Sequence, residues 1–159
     1  VFLDLDGARI LFVGGGRAAA QKLALLADLA PALRLVAPRI DPDVEALAAR
    51  FPGAEVFRRP VAEADLDGVA LVYSFADDPA VNSEVEAWAR ARGLWVNAAG
   101  ARGPGSFTSP AVDRHGGLVL AVGSGDGPGA SRDIGLAVSW RNRFAALWRT
   151  GPRDTTLDP

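Results

Sequence analysis

Residues 10–22 limit the fold of this chain more than any other stretch. Four apolar residues, Ile10 to Val13, run directly into Gly14, Gly15 and Gly16, and these into the helix-forming run from Arg17 to Lys22. A strand that turns on glycine straight into a helix is the opening of a βαβ unit. Gly14, Gly16 and Ala19 stand at G-x-G-x-x-G/A spacing. That spacing assigns Gly14 to the tight turn, Gly16 to the approach of a pyrophosphate to the backbone, and Ala19 to close helix packing. The helix N-terminus then adds unpaired N–H groups and the positive end of the helix dipole. No Gly or Pro interrupts residues 17–29, and a second apolar strand over 33–37 follows at βαβ distance. Together these predict a nucleotide-cofactor fold.

The alternation continues along the chain. The sequence predicts a short helix over 41–50, with Asp41 as its cap, Pro42 in its first turn, and Val44, Leu47 and Ala48 on one face. A brief strand over 55–58, a turn over 64–67 and a strongly apolar strand over 69–75 follow. The next helix starts within Asp77–Asn82, turns Val81, Val85, Trp88 and Ala89 inward, and ends at Gly93. Residues 94–97 form the fifth strand. Apolar strands separated by helices in this way make a parallel sheet covered on both faces, with the cofactor at one edge. The expected class is therefore α/β, a Rossmann-type parallel sheet carrying a β-hairpin dimerisation extension and a C-terminal helix.

The pattern changes after Asn97. Strands over 107–112 and 118–122, around Asp-Arg-His-Gly-Gly, predict a hairpin whose apolar face needs a partner surface. A second glycine-rich stretch, 123–129, leads into a helix over 130–148. Its stripe of Leu136, Trp140, Phe144 and Leu147, widened by Ile134, Val138 and Trp148, is assigned to core or dimer packing. The expected segments are a Rossmann domain over 1–100, the hairpin and Gly-rich loop over 101–129, the helix over 130–149 and a polar tail over 150–159.

Composition removes several classes. The 159 residues suit one domain, and 49% hydrophobic content supplies a core. With 17 basic against 19 acidic residues and a net charge of −2, no global field draws the chain to nucleic acid or membrane. There is no cysteine, and His115 is the one histidine, which excludes disulfides and leaves little for a metal site, so none is assigned. No apolar run reaches the roughly 18 residues a membrane span requires, and the start is too acidic for a signal peptide, so the cytoplasm is expected. Sixteen arginines against one lysine, with no methionine, fit a GC-rich genome. The missing initiator methionine is read as a chain that continues upstream of Val1.

A series of motifs in order resembles the siroheme synthase N-terminal family, the precorrin-2 dehydrogenases that sometimes double as sirohydrochlorin ferrochelatases. The series comprises residues 2–26, Leu-Val-Ala-Pro at 35–38, Ala-Asp-Asp-Pro-Ala-Val-Asn at 76–82, Val96-Asn97, Ser-Phe-Thr-Ser-Pro-Ala-Val-Asp-Arg at 106–114, and Leu-Val-Leu-Ala-Val at 118–122. The resemblance implies a Rossmann unit, a β-extension exchanged across a homodimer, and a helical C-terminal part that runs longer in relatives. It implies NAD-dependent oxidation of precorrin-2 to sirohydrochlorin, so that the partners are a tetrapyrrole substrate and a second copy of the chain. Positions matching the family's dinucleotide contacts are Gly14, Gly15, Gly16, Arg17 and Ala18 at the first turn and Pro38 and Arg39 after the second strand. Ala76 and Asp77 lie toward the nicotinamide, and Asn97 completes the set.

The chain also departs from that family. Where relatives carry an aspartate credited with proton transfer, three residues after the matching Asn97, this sequence has Gly100. Glycine does no acid or base work, and Asp126 and Asp113 are the next carboxylates in motif order. The turn at 124–128, beginning with Ser124, is one residue shorter than the family's. Tetrapyrrole carboxylates call for guanidinium groups, and Arg102, Arg114 and Arg132, with Ser124, are the substrate candidates. His115 is expected to be solvated. Strand two ends in Ala-Pro-Arg without the acid that takes ribose hydroxyls, so Arg17 and Arg39 fit a 2′-phosphate as well as solvent, and NADP stays open beside NAD. The competing functions are a non-catalytic sensor or carrier of dinucleotide or tetrapyrrole, motivated by Gly100, and a regulatory Rossmann module, disfavoured by the hairpin.

Overall fold

The computed structural model describes residues 3–29, 31–99, 105–115, 117–123 and 134–150. Two compact units divide the chain, Val1–Thr108 and Ser109–Pro159. In the first, strands β1 (Arg9–Val13), β2 (Ala32–Val36), β3 (Glu55–Phe57), β4 (Leu71–Ser74) and β5 (Trp95–Ala98) form one sheet in the order β3-β2-β1-β4-β5. Every pairing is parallel, which confirms the Rossmann-type α/β class. Helices α1 (Arg17–Leu26) and α2 (Pro42–Ala48) serve one face and α3 (Pro79–Ala91) the other.

Strand alternation divides the core in two. Ile10, Phe12, Leu33, Leu35, Leu71 and Tyr73 pack with Ala19 and Leu23 of α1 and Val44 and Ala48 of α2. Leu11, Val13, Val36, Val72, Val96 and Ala98 point the other way, onto Val85 and Ala89 of α3. The central β1 is therefore apolar at every inward position on both faces, as a buried parallel strand must be. The return from β3 to β4 uses a single 3₁₀ turn, Glu63–Leu66, where the sequence predicted a plain turn.

Two details differ from the expectations. Asp41 occupies the N-cap of α2 but its side chain makes no capping hydrogen bond; its N–H is instead committed to the Gly15 carbonyl, 2.9 Å away. The strand expected to start at Phe107 starts at Ala111. Phe107 belongs to the first unit, edge-on to Tyr73 with centroids 5.6 Å apart. There Ser106 closes the edge of β5, its N–H donating to the Val96 carbonyl at 2.7 Å and its Oγ accepting from the Val96 N–H at 2.8 Å. Pairing with Val96 holds 105–107 in the first unit, so the hairpin begins beyond it.

In the second unit, β6 (Ala111–His115) and β7 (Leu118–Val122) form the expected antiparallel hairpin, with His115 opposite Leu118. Helix α4 (Ile134–Thr150) packs on it through buried Ala137 and Ala145. Arg141 donates to the Val112 carbonyl at 2.9 Å, and Arg149 to Asp113 Oδ1 at 2.6 Å. The stripe Leu136, Trp140, Phe144 and Leu147 is not core: all four are exposed, Leu147 at 68%. Small residues let α4 approach the hairpin closely, and the large ones lie on its other side. Thr150, expected to open the tail, is the last residue of α4; the expected helix residues 130–133 and the tail from 151 on lie outside the described residues.

Candidate functional site

The sheet order changes direction between β1 and β4, so the loops leaving these strands diverge and open a crevice at their carboxyl ends. A cleft of about 700 Å³ lies there. Its floor is Val13 to Arg17; one wall is Val36 to Arg39 with Asp41, and the other is Phe75 to Asp78 with Val81 and Glu84 of α3. Pro60 and Val61, from the β3–β4 return, complete it.

The glycine triplet divides its work among the three positions. Gly14 has φ +107°, and a Cβ there would lie 2.6 Å from the Phe75 carbonyl carbon. A Cβ on Gly15 would lie 2.7 Å from Ile40 Cα. These two let the β1 loop pass between the loops of β4 and β2. The N–H of Gly14 already donates to the Val36 carbonyl at 3.1 Å. Gly16 alone of the three has nothing within 4 Å of a built Cβ, and it is the N-cap of α1 with no side-chain cap. The first-turn N–H groups of α1 thus face the cleft without an internal acceptor, and the residues present fit the diphosphate of a dinucleotide.

The loop after β4 is held by a residue that the sequence reading passed over. Asn82 of α3 is buried; its Oδ1 accepts from Ser74 Oγ and from the Ala76 N–H, and its Nδ2 donates to the Ala76 carbonyl, each at 2.8 Å. One side chain fixes the wall formed by Phe75 to Asp78. Its signal was present: Asn82 shares a helical face with Val85 and Ala89, a polar residue on an apolar stripe. Asp78 caps α3 by accepting from the Ala80 N–H at 2.8 Å.

The wall formed by Pro60 and Val61 is anchored by charge. Arg59 grips the buried Asp65 through two bonds of 2.7 and 2.8 Å, and the Ala62 N–H donates to the same carboxylate at 2.8 Å. Arg34 donates to the Asp65 carbonyl at 2.9 Å and to Glu55 at 2.8 Å. The Arg59 bonds, with the Ala62 N–H, hold the Asp65 carboxyl below the ordinary aspartate range, against the opposing effect of burial. Asp65→Ala is expected to cost about 2 kcal/mol, because it orphans the Ala62 N–H and two charge-assisted bonds; urea melts read this directly. Because the folded carboxyl titrates below the unfolded one, its contribution is complete above the unfolded value. It is lost as pH falls through the folded value. Acid unfolding below about pH 4 should therefore flatten in Asp65→Asn.

Of the residues expected at the site, Gly14, Gly15, Gly16, Arg17, Pro38, Arg39, Ala76 and Asp77 line the cleft. Ala18 is exposed one step along α1, outside the lining. Asn97 is buried and spends its Nδ2 on the Phe107 carbonyl at 2.9 Å, which ties the 105–107 segment to β5. Asp113 is committed to Arg149, and Arg114 and His115 are exposed on β6. Gly100, Arg102, Ser124, Asp126 and Arg132 lie outside the described residues. No group of three or more His, Asp or Glu suited to a metal occurs among the described residues, and none of their helices is long and apolar enough to cross a membrane.

Comparison with known proteins agrees with this geometry. A family model described as NAD(P)-binding matches residues 1–111. A siroheme synthase of Pseudomonas entomophila is 41% identical over 93% of this chain and 35% of its own length. One from Pseudomonas putida strain W619 is 44% identical over 84% of this chain and 29% of its own. This chain thus spans about a third of the length of these relatives. The solved structure of SirC, a precorrin-2 dehydrogenase, superposes with a TM-score of 0.74 at 29% identity, covering 92% of this chain and 69% of that one. On the family match, the shared sequence and the common sheet, this chain belongs to the siroheme synthase N-terminal family of NAD(P)-binding domains.

Proposed function

We propose that this chain carries the dehydrogenase step of siroheme synthesis, the oxidation of precorrin-2 to sirohydrochlorin, with a pyridine dinucleotide as acceptor. The observation that supports it best is the open Gly16 at the uncapped start of α1, set in a switch-point cleft. When bound, the dinucleotide supplies the hydride acceptor; the protein's share is binding, orientation and a path for the proton. Gly16 and the first turn of α1 would hold the diphosphate, Pro38 and Arg39 the adenosine side, and Ala76 and Asp77 the nicotinamide side. Substrate carboxylates would meet Arg102, Arg114, Ser124 and Arg132. NAD is the form the family resemblance implies.

Incubating the protein with precorrin-2 and either NAD or NADP should generate the sirohydrochlorin spectrum with matching reduced cofactor. No spectral change with folded protein that binds dinucleotide would favour the second reading, a non-catalytic binder, which rests on Gly100. Gly100→Asp should then create turnover that the parent lacks, whereas equal rates in both would reject that reading.

The tetrapyrrole is also expected to meet a homodimer. Exposed Leu118 and Val119 on β7 and the exposed stripe of α4 are the apolar surfaces available for it. Sedimentation should give a dimer that Trp140→Glu shifts toward monomer; an unchanged profile would remove α4 from the interface.

A further inference from the structure

Oxidation by a pyridine dinucleotide takes two hydrogens from its substrate, and only one of them leaves as hydride. The other leaves as a proton, which needs an acceptor beside the place where the hydride departs. On the reading proposed above, that place is the end of the cleft beyond β4, where Phe75 to Asp78 form the wall.

The charges on this wall are unsuited to holding anions. Asp77 and Asp78 stand on it with Glu84 of α3, whereas Arg39 stands on the opposite wall and Arg17 on the floor. Carboxylates here repel a diphosphate and the carboxylates of a tetrapyrrole, and they favour a group that is cationic or is giving up a proton. The fold separates the three. Asp78 is spent on the N-cap of α3, where it accepts from the Ala80 N–H at 2.8 Å. Glu84 lies further along, in the second turn of that helix. Asp77 follows directly on the Ala76 carbonyl, which Asn82 Nδ2 holds at 2.8 Å, so its backbone runs between two anchored residues. The strands on either side secure the same loop: the Phe75 N–H donates to the Val13 carbonyl at 2.7 Å, and the Ala99 N–H to the Ser74 carbonyl at 2.8 Å. Asp77 thus carries a carboxylate on a fixed root in the cleft, exposed enough to pass a proton on to water.

We infer that Asp77 is the base of the dehydrogenation, an assignment that rests on the proposed function. One C–H bond of precorrin-2 breaks, and its hydrogen leaves with the electron pair as hydride for the dinucleotide. A second hydrogen leaves as a proton to an Asp77 carboxylate oxygen, and the electron pair it leaves behind becomes the new double bond of the macrocycle. Precorrin-2 is oxidised by two electrons and the dinucleotide reduced by two. Asp77 then returns the proton to water.

Asp77→Asn keeps the shape and removes the charge. Turnover of precorrin-2 by the whole chain should fall about a hundredfold or more, in kcat rather than KM, with partial rescue in Asp77→Glu. Calorimetry with NAD and NADH gives a readout without turnover. The oxidised ring is cationic and the reduced ring neutral, so Asp77→Asn should shrink the ratio of NAD to NADH affinity by about threefold or more. Thermal melts should match the parent, since Asp77 is exposed. Full turnover in Asp77→Asn would overturn the inference, as would an unchanged affinity ratio or a loss of turnover confined to Glu84→Gln. Those results sink only the assignment of Asp77, whereas a parent that binds dinucleotide yet leaves precorrin-2 untouched sinks the proposed function and this step with it.

Discussion

Gly14→Ala is expected to lower the Tm by about 10 °C or more and to abolish dinucleotide binding, while Gly16→Ala, two residues away, keeps the fold. At Gly14 a side chain meets two penalties. The left-handed backbone, φ +107°, costs about 1–2 kcal/mol for an L residue. The new methyl also runs into the carbonyl of Phe75, which is backbone and cannot swing away; forced overpacking adds about 1–3 kcal/mol. Together they reach about 3 kcal/mol, a large share of what a domain of this size holds. Gly16 has φ −99° and ψ −167°, extended backbone that alanine adopts, with open space where its Cβ would stand. Its substitution should leave the melt unchanged and weaken dinucleotide binding, since the methyl enters the space that the diphosphate would take. Parent-like melting of Gly14→Ala would show that the three loops are not packed as described.

Asn82→Ala should be nearly as damaging. It strips partners from Ser74 Oγ and from both backbone groups of Ala76, and it leaves a cavity where the side chain stood. Unsatisfied buried polar groups cost about 1–3 kcal/mol each before relaxation, and a net loss of about 3 kcal/mol is expected. Asn82→Asp supplies the control. At neutral pH its carboxylate faces the Ala76 carbonyl, which it repels; once protonated, it donates to that oxygen as the amide did. This variant should therefore recover stability on mild acidification, opposite in sign to the acid loss expected from Asp65. A monotonic acid loss in Asn82→Asp would mean that the Ala76 carbonyl is not its partner.

Much of this architecture was legible in the residues. The unbroken apolar run at Ile10–Val13 marks a strand buried on both faces, and glycine after β1 marks the turn, because both signals are local. Element ends shifted where a distant contact competed. Phe107 reads as a strand residue by type, yet β5 needs its edge closed and Tyr73 needs a ring against it, so Phe107 stays with the first unit. Asp41 reads as a cap and does occupy the N-cap of α2, but its side chain makes no capping bond, while its N–H ties the β2 loop to the Gly15 carbonyl. The stripe on α4 was assigned to core or dimer packing, and its four large residues prove exposed rather than core, since periodicity reports a shared face and not what covers it.

The site divides along the same line. That a strand, three glycines and a helix build a phosphate turn follows from backbone sterics and helix electrostatics, which act over a few residues and are written in their order. Which glycine serves packing and which stays open depends on loops that arrive from residues 39–40 and 75–76. The same holds for Asn82 as the pin of one wall and for Arg17 and Arg39 coming to line one cleft. Those facts exist only once the sheet has brought remote segments within hydrogen-bonding distance, because a pairing between distant residues leaves no periodic trace in either of them.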